Sequence, residues 1–307
     1  MEHYVAKTSG LNRTGTLSRI TVAAITAALV GTTTAAVAAD APPSFTPGAE
    51  QASNATAFAA AAAVPTPRNY LYGVNSAGTI WGYKPVGGGT LQRLADNSGT
   101  GWTSHKHFTQ VDLDGNGGSN GFYAVRSGRL HYTDVGAPRD LGGGWQVYNE
   151  IISAGNTGGA TSDDLIARDG SGVLWHYLGY GNGNLAPRYR VGSGWNAYTQ
   201  IAGKGDLTRD GKADLVARDK SGALWLYKGT GNYKVPFTSR TRIGSGWNAY
   251  NALVSTGDLT FDGVADLVAR DKSGALWLYK GTGKASAPYS GRVQIGTNGW
   301  NSFRELF

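Results

Sequence analysis

Three short segments of the sequence carry oxygen-bearing side chains at alternating positions, a spacing that suits the binding of a hard cation. Counted from the first aspartate, positions 1, 3, 5 and 9 hold Asp, Asn or Thr, and position 6 is glycine. The candidate ligands are Asp206, Thr208, Asp210 and Asp214; Asp258, Thr260, Asp262 and Asp266; and Asp112, Asp114, Asn116 and Asn120. Calcium takes about six to eight oxygen ligands in irregular geometry, and a tight loop gathers alternating residues around one point. We therefore predict three Ca²⁺ sites, with the position-7 backbone carbonyls of Lys212 and Val264 as further ligands.

An alternative role for these aspartates is to cap the turns by accepting hydrogen bonds from nearby backbone N–H groups. The repeated offsets, with Gly211 and Gly263 at the tight turns, favour calcium over this alternative. The corresponding segment of another copy has Asn156, Gly158 and Ala160 at the ligand positions. We predict that this loop, which belongs to the third copy of the repeat, has lost its ion.

The loops belong to a repeat that fills the chain from about Asn69 onward. Gly-Trp dipeptides recur at Trp102, Trp145, Trp195, Trp247 and Trp300, at spacings of 43, 50, 52 and 53 residues. A second motif recurs in phase with them, most clearly as the identical segment SGALWLYKGTG at residues 221–231 and 273–283. Periods of this length indicate solenoids, propellers or arrays.

Each copy contains about four short strand-like segments separated by Gly, Asp, Asn and Ser residues that favour turns. The alternation in the fourth copy directs Leu224 and Leu226 to one face of the sheet, and Trp225 and Tyr227 to the other. A sheet that is apolar on both faces must pack between two neighbours, and closing the stack into a ring protects its ends. We therefore predict an all-β fold, a five-bladed β-propeller of four-stranded blades. An open stack is the alternative.

The two ends of the array predict how the ring closes. The segment 299–307 matches the innermost-strand segment 194–202, whereas the first copy begins with a second-strand segment and lacks an innermost strand. The C-terminal strand should therefore complete blade one. The predicted blades are residues 69–102 together with 301–307, followed by 103–145, 146–195, 196–247 and 248–300.

The composition agrees with this fold and excludes several classes of protein. With 47 Gly and only 16% charged residues, the chain does not have the composition of a helical protein. The absence of Cys excludes disulfides and thiolate metal sites. The net charge of +7 is spread without runs of Lys or Arg, so we expect no nucleic-acid partner.

The N-terminus has the order of zones that is typical of a secretory signal peptide. Lys7, Arg13 and Arg19 precede an uncharged apolar run over residues 20–30, and small residues follow as far as Ala39. An uncleaved anchor is the alternative, but the apolar run is short for a membrane span. We predict a signal peptide over residues 1–39, a disordered Ala/Pro-rich linker over 40–68 and the propeller over 69–307. The expected product is a secreted, extracellular monomer with no membrane span after cleavage.

Two segments also resemble a known family. GDLTRDGKADLVARDKSGALWLYKGTG (205–231) and GDLTFDGVADLVARDKSGALWLYKGTG (257–283) are similar to the FG-GAP and VCBS repeats of secreted bacterial proteins. The resemblance implies a β-propeller that holds calcium in Asp-rich loops, as in integrin α-subunit heads. The C-terminal GWNSFRELF joined to YLYGVNSAGTIWGY is also similar to the repeat of tachylectin-type five-bladed lectins, which lack the Asp loops.

The predicted function is binding without catalysis, most simply to carbohydrate on a cell or polymer surface. Sugars are held by aromatic faces together with amide and hydroxyl groups, and the Gly-Trp corners repeat that mixture. The candidate ligand-binding residues are Trp195, Asn196, Tyr198, Trp247, Asn248, Tyr250, Trp300, Asn301, Trp145 and Trp102. Several weak sites around a ring gain avidity on a repetitive surface. The alternative is that these tryptophans form inter-blade core.

Two other functions stay open at this point. A platform for an extracellular protein partner has the same sequence requirements as a lectin. An enzyme is disfavoured, because the sequence contains no Gly-x-Ser-x-Gly elbow and no P-loop. His105 and His107 are the strongest candidates for catalysis or metal binding, but they occur in one copy only. We therefore predict no catalytic residue.

Overall fold

The computed structural model describes residues 69–95, 99–134 and 138–307. The predicted signal peptide and linker lie outside these residues. The described chain forms 20 strands in five antiparallel sheets of four strands each. The predicted all-β, five-bladed propeller is thereby confirmed. No helical segment in the described ranges has the length and apolarity needed to cross a bilayer.

The five sheets follow one another along the chain, except that the last strand returns to the first sheet. Blade one contains β1 (Leu71–Asn75), β2 (Ile80–Pro85), β3 (Leu91–Arg93) and β20 (Phe303–Leu306). Blade two contains β4 (His105–Val111), β5 (Gly121–Arg126), β6 (Arg129–Thr133) and β7 (Arg139–Gly143). Blade three contains β8 (Tyr148–Gly155), β9 (Asp164–Asp169), β10 (Leu174–Tyr177) and β11 (Tyr189–Gly192). Blade four contains β12 (Tyr198–Ala202), β13 (Leu215–Asp219), β14 (Leu224–Tyr227) and β15 (Thr241–Gly244). Blade five contains β16 (Tyr250–Val254), β17 (Leu267–Asp271), β18 (Leu276–Tyr279) and β19 (Val293–Gly296).

The ring closes where the sequence predicted. β20 pairs antiparallel with β1, with Gly73 opposite Leu306. Beyond that register, the Tyr72 N–H donates to the Phe307 carbonyl at 2.8 Å, and the Phe307 N–H donates to the Tyr72 carbonyl at 2.9 Å. The C-terminal strand therefore supplies the innermost strand that the first copy lacks.

Apolar side chains fill the interfaces between neighbouring blades. Leu224 and Leu226 join a cluster with blade five, whereas Trp225 and Tyr227 pack against a cluster on the side of blade three. This division confirms the alternation expected for β14. Each sheet thus buries both faces only because it lies between two others.

Polar side chains on the innermost strands connect one blade to the next. Glu150 Oε1 accepts a hydrogen bond from the Ile201 N–H at 2.7 Å. The Gln200 amide accepts from the Leu253 N–H and donates to the Leu253 carbonyl, both at 3.0 Å. Because innermost strands of adjacent blades are not paired as a sheet, these side chains satisfy backbone groups that would otherwise be buried without partners.

A repeated arginine fixes the Gly-Trp corners. Arg218 Nη1 donates to the Trp247 carbonyl at 3.1 Å and to the Tyr250 carbonyl at 2.6 Å, which lie at the start of the following blade. Arg168 and Arg270 make the same pair of bonds to the corners that follow them. The Ala-Arg-Asp motif that ends the second strand of blades three, four and five therefore has a structural role that was not predicted from the sequence.

Candidate functional site

The three predicted calcium loops lie on one face of the ring. They connect the first and second strands of blades two, four and five, and they surround the mouth of the central channel. A cavity of about 580 Å³ opens there, and Asp112, Asp206 and Asp258, the first residues of the loops, line it. The structure therefore brings the three loops together around one opening.

The first aspartate of each loop accepts a hydrogen bond from the N–H of the glycine at position 6. The Oδ2–N distances are 2.6 Å for Asp112 to Gly117, 2.6 Å for Asp206 to Gly211 and 2.7 Å for Asp258 to Gly263. The loop glycines have φ near +80°, a conformation that side chains with a Cβ rarely adopt. The predicted turn geometry is thus the same in all three loops.

The aspartate at position 9 is a buried anchor. In blade five, Asp266 accepts from the Leu259 N–H at 2.9 Å and from the Gly281 N–H at 2.8 Å. Asp214 makes the corresponding bonds in blade four, to Leu207 and Gly229. These bonds connect the loop to the end of the third strand and define its shape.

The remaining candidate ligands have different partners in different loops. Lys228 forms an ion pair with Asp210 at 2.9 Å. The Asp262 carboxylate accepts from the Val264 N–H at 3.0 Å. In blade two, the side-chain amides of Asn116 and Asn120 donate to Asp114, at 2.9 Å and 3.2 Å. Over residues 69–95, 99–134 and 138–307, no three acidic or histidine side chains converge on a common point.

The donor set of these loops nevertheless fits calcium in its chemistry. The oxygens are hard carboxylate, hydroxyl and carbonyl groups. Thr208 Oγ1 at position 3 is buried and forms no well-aligned hydrogen bond. Burial and the neighbouring carboxylates of Asp258 and Asp262 raise the pKa of Asp266 to about 6, a repulsion that a divalent cation would relieve. The observed hydrogen bonds are equally compatible with the turn-capping role of these aspartates.

The third loop, which was predicted to lack an ion, contains a different charge arrangement. Lys204 from blade four forms a close ion pair with Asp163 of this loop and also donates to the Gln110 carbonyl of blade two at 3.0 Å. The carboxylate of Asp163 further accepts from the Asp112 N–H at 2.8 Å. An internal ammonium group therefore joins three blades at the channel mouth.

The tryptophans of the Gly-Trp corners are buried between blades. Trp195 is 7% exposed and Trp300 is fully buried. Their rings lie against the neighbouring sheet, as in the 4.7 Å separation between the ring centroids of Trp195 and Tyr227. Trp145 and Trp247 are buried in the same way, while Trp102 is half-buried against His105. The structure therefore places the four buried corner rings in the core, the alternative that the sequence left open.

The other predicted residues of the corners divide into two groups. Tyr198 and Tyr250 are buried, and their hydroxyls pair with those of Tyr227 and Tyr279 at 2.5 Å and 2.6 Å. The asparagines Asn196, Asn248 and Asn301 are exposed, and each donates to a backbone carbonyl of the preceding blade. Only the amide groups of these corners therefore face solvent.

A second opening lies between blades two and three. This cleft has a volume of about 820 Å³, and its lining includes Trp145, Tyr148, Tyr177, Arg139, Asn184 and Arg188. It presents aromatic edges beside guanidinium and amide groups. Concave sites with a few placed polar groups are the usual binding sites of small ligands.

Four blades stack an arginine on a tryptophan of the same sheet. The distance from the guanidinium carbon to the indole centroid is 3.9 Å for Arg93 over Trp81, and 4.1 Å for the other three pairs. Those pairs are Arg188 over Trp175, Arg240 over Trp225 and Arg292 over Trp277. These arginines were not among the predicted site residues, although positions 188, 240 and 292 recur in phase with the Gly-Trp dipeptides.

Of the two histidines considered for catalysis, His105 is buried and His107 is half-buried. His105 is buried against Trp102, with 4.6 Å between the ring centroids. Burial lowers the pKa of His105 to about 4, with help from the charge of Arg126, and burial lowers that of His107 to about 4. Both imidazoles are therefore neutral near pH 7.

Residues 206–269 match the FG-GAP-like repeat family. The match covers the predicted calcium loops of blades four and five and confirms the resemblance read from their sequence. No curated protein matches the chain.

Several solved structures are similar to the chain at low identity. The BP39L lectin of Burkholderia pseudomallei is 16% identical with a TM-score of 0.44, covering 75% of this chain and 67% of the lectin. AofleA of Arthrobotrys oligospora is 9% identical with a TM-score of 0.45, covering 76% and 70%. The periplasmic gluconolactonase PpgL of Pseudomonas aeruginosa is 12% identical with a TM-score of 0.39, covering 78% and 69%. At these values the likenesses assign neither a ligand nor an activity to this chain.

Proposed function

We propose that this protein is a secreted, calcium-stabilised propeller that binds carbohydrate on cell or polymer surfaces and does not catalyse a reaction. The cleft between blades two and three carries this proposal. Its volume of about 820 Å³ suits one or a few sugar rings, and it combines the partly exposed ring of Tyr177 with the exposed amide of Asn184 and guanidinium of Arg188. Sugar recognition uses this combination of aromatic surface and directional hydrogen bonds.

Repetition around the ring supports the same function. The Arg–Trp–Tyr grouping of this cleft recurs at the corresponding positions of blades four and five. Linked weak sites raise the overall affinity for a repetitive surface when several are engaged together. A monomeric ring can therefore bind a polymer firmly even if each cleft binds one unit weakly.

A carbohydrate screen tests the proposal directly. The purified protein is applied, with calcium present, to a glycan array and to insoluble polysaccharides. We expect retention on at least one carbohydrate class and release by the soluble form of that sugar. No retention on any carbohydrate, for protein that melts cooperatively, would contradict the proposed function.

The proposed calcium sites use Asp206, Thr208, Asp210 and Asp214, and Asp258, Thr260, Asp262 and Asp266, with Asp112, Asp114, Asn116 and Asn120 as the third set. Bound calcium would neutralise the clustered carboxylates and hold each loop in its turn. A ligand at about 100 times its dissociation constant stabilises the folded state by about 2.7 kcal/mol. We therefore expect a lower melting temperature in EGTA than in calcium.

Matched variants make the calcium test specific. Asp258→Asn should abolish most of the calcium-dependent rise in melting temperature that its loop contributes. Asn156→Ala lies at the same position of the loop predicted to lack an ion, so it should leave the calcium-dependent rise unchanged. Equal melting of the unmodified protein in calcium and in EGTA would contradict the proposal.

The location outside the cell is a proposal that rests on the N-terminal sequence. We expect the protein from a culture supernatant to begin near Asp40, after cleavage at the small-residue segment. N-terminal sequencing of that protein checks the expectation. Recovery of the uncleaved chain in the membrane fraction would favour the alternative that the N-terminal segment is a membrane anchor.

Docking of an extracellular protein is the second candidate function. A specific observation favours it: Tyr180, Tyr189, Tyr233 and Val235 are exposed, and the rings of Tyr189 and Tyr233 meet edge to face at 5.7 Å. Exposed aromatic surface is characteristic of protein interfaces. A stoichiometric protein partner that is lost on Tyr189→Ser, with carbohydrate retention unchanged, would support this second function.

The absence of catalysis is part of the proposal. It is supported by the neutral state of His105 and His107, since a general acid or base works best when its pKa lies near the working pH. The test is release of reducing sugar from the carbohydrates that retain the protein. Release that disappears on His107→Asn would overturn this part.

A further inference from the structure

The arginines that stack on tryptophan carry uncompensated positive charge. Arg188, Arg240 and Arg292 are exposed, and within the described part of the chain none of them forms an ion pair with an acidic side chain. Other arginines do form such pairs, for example Arg129 with Asp140 at 2.6 Å. The stacked guanidinium groups are therefore exposed cations without an acidic partner in the described ranges, and Arg188 among them lines the cleft between blades two and three.

These guanidinium groups are held in a fixed orientation. One face of Arg188 lies on the indole of Trp175 at 4.1 Å, and Nη1 donates to the Tyr148 hydroxyl at 2.8 Å. The indole is itself fixed, because its Nε1 donates to the Asp169 carboxylate at 2.8 Å. Arginine has five N–H donors in a planar fork, so the edge turned away from the tyrosine keeps donors for a ligand.

The same arrangement is repeated in the next two blades. Arg240 stacks on Trp225 and donates to the Tyr198 hydroxyl. Arg292 stacks on Trp277 and donates to the Tyr250 hydroxyl. Three successive blades thus present one oriented guanidinium each, at equivalent positions of a regular array.

The carboxylates near these arginines already have partners: Asp140, which lines the cleft with Arg188, is paired with Arg129 at 2.6 Å. Asp206 and Asp258 line the channel mouth, and the Asp219 carboxylate is bound to its own turn and to the Trp225 indole. The outer strands instead carry Arg190 and Arg242 beside the stacked arginines, and both are exposed. The exposed arginines therefore give this part of the rim a positive charge that attracts an anionic ligand.

We infer that the stacked arginines Arg188, Arg240 and Arg292 bind the anionic groups of an acidic polysaccharide. This inference rests on the proposed carbohydrate binding and narrows its ligand to polymers that carry carboxylate or sulfate groups at intervals along the chain. A planar guanidinium matches the oxygen pairs of both groups, which a point charge does not. Successive blades then engage successive anionic groups of one polymer.

The test compares one polymer backbone in three charge states. Binding of the full-length protein to immobilised dextran, carboxymethyl-dextran and dextran sulfate is measured at physiological salt. We expect binding to one or both charged forms and none to unmodified dextran. The preference between the two charged forms tells whether carboxylate or sulfate is the preferred group.

A matched pair of double variants separates oriented arginines from net charge. R188Q/R240Q removes two stacked guanidinium groups, and R190Q/R242Q removes two exposed, unstacked ones from the same blades. We expect the first pair to lose at least about tenfold in affinity and the second less than about threefold. R188K/R240K keeps the charge and should lose nearly as much as the first pair, because lysine lacks the planar fork.

Several outcomes would overturn the inference. Equal losses for the two glutamine pairs would mean that net charge alone binds the polymer, and retention of full affinity by the lysine pair would mean the same. Equal binding to duplex DNA and to dextran sulfate would remove the assignment to polysaccharides. Retention on neutral array glycans that is unaffected by R188Q/R240Q would end the inference but leave the proposed function intact, whereas no binding to any carbohydrate would end both. Melting curves of each variant exclude loss of the fold as the cause.

Discussion

The carboxylate of Glu305 accepts a hydrogen bond from the backbone N–H of Phe108, with 2.7 Å between Oε1 and N. This bond joins β20, which closes blade one, to the innermost strand of blade two. Burial raises the pKa of Glu305 to about 7, while the N–H groups of Phe108 and His107 and the charge of Arg304 act in the opposite direction. A titratable group therefore lies at the closure of the ring.

We expect the stability that Glu305 contributes to depend on pH. Its folded-state pKa lies above the ordinary value of 4.5, so its contribution is fully present below that pH and is lost as the pH rises through about 7. Glu305→Gln stays neutral and keeps an oxygen for the Phe108 N–H. The free energy of unfolding of the unmodified protein, relative to this variant, should fall by about 1–3 kcal/mol between pH 5 and pH 8. Urea unfolding at the two pH values measures the difference, and a constant difference would show that the carboxyl is not perturbed.

Acid should destabilise the protein through His105. Its folded-state pKa of about 4 lies below the ordinary 6.5, so the unfolded chain binds more protons and stability is lost as the pH falls between these values. His105→Phe preserves an aromatic ring against Trp102 and removes the titration. We expect the variant to lose about 1–2 kcal/mol less than the unmodified protein between pH 7 and pH 5. Urea unfolding at both pH values is the measurement, and equal losses would contradict the buried, neutral state of this ring.

Each Gly-Trp corner needs its glycine for backbone conformation, since φ is positive at all five of these glycines. Gly246 has φ of 80°, and a Cβ at this position would meet no heavy atom within 4 Å. Gly246→Ala should therefore cost only the strain of the left-handed conformation, about 1–2 kcal/mol, and Gly246→Asn less. Gly192 has no left-handed φ and equally open surroundings, so Gly192→Ala is the control and should cost nothing. A similar cost for both alanine variants in urea unfolding would point to lost packing or hydrogen bonding instead.

Measuring both the free energy of unfolding and the carbohydrate affinity of a variant shows whether a corner residue belongs to the core or contacts the ligand. Trp195→Ala should lower the free energy of unfolding by about 3–5 kcal/mol, as expected for a large buried side chain. Asn196→Ala removes one exposed hydrogen bond to the Gly170 carbonyl and should cost less than about 1 kcal/mol. Trp195→Phe should fold and keep its carbohydrate affinity. A folded Trp195→Phe protein that binds no carbohydrate would show that the indole contacts the ligand.

The repeat period and the alternation within each strand were sufficient to predict the ring. Leu224 and Trp225 point to opposite neighbours because a sheet packed on both sides needs apolar residues on both faces, and that requirement is visible in the sequence. Ring closure was predictable for the same reason, since the segment at Phe303 matches the strand that the first copy lacks. The alternation of residues within the strands and the order of the strands around the ring therefore lead to the same fold.

The site was less predictable, because burial and stacking depend on neighbours that are distant in sequence. An indole beside an asparagine is equally consistent with a core residue and with a sugar site, and the contact with the Tyr227 ring of blade four decides for Trp195. Arg188 reaches Trp175 only through the pairing of β10 with β11, which contains a register shift. The regular spacing of positions 188, 240 and 292 from the Gly-Trp dipeptides is visible in the sequence. That these arginines stack on tryptophan depends on the strand pairing.

The origin of the first sheet has a consequence for biosynthesis. The strand β20, which pairs with β1, is synthesised only after the other four blades. The nascent chain therefore has an unpaired, aggregation-prone strand edge at β1 for most of its synthesis. The pairing of β1 with β20 joins strands from the two ends of the propeller sequence and closes the ring, and such non-local contacts form late. A chain that ends before Phe303 would therefore have four complete sheets and one sheet that lacks its innermost strand.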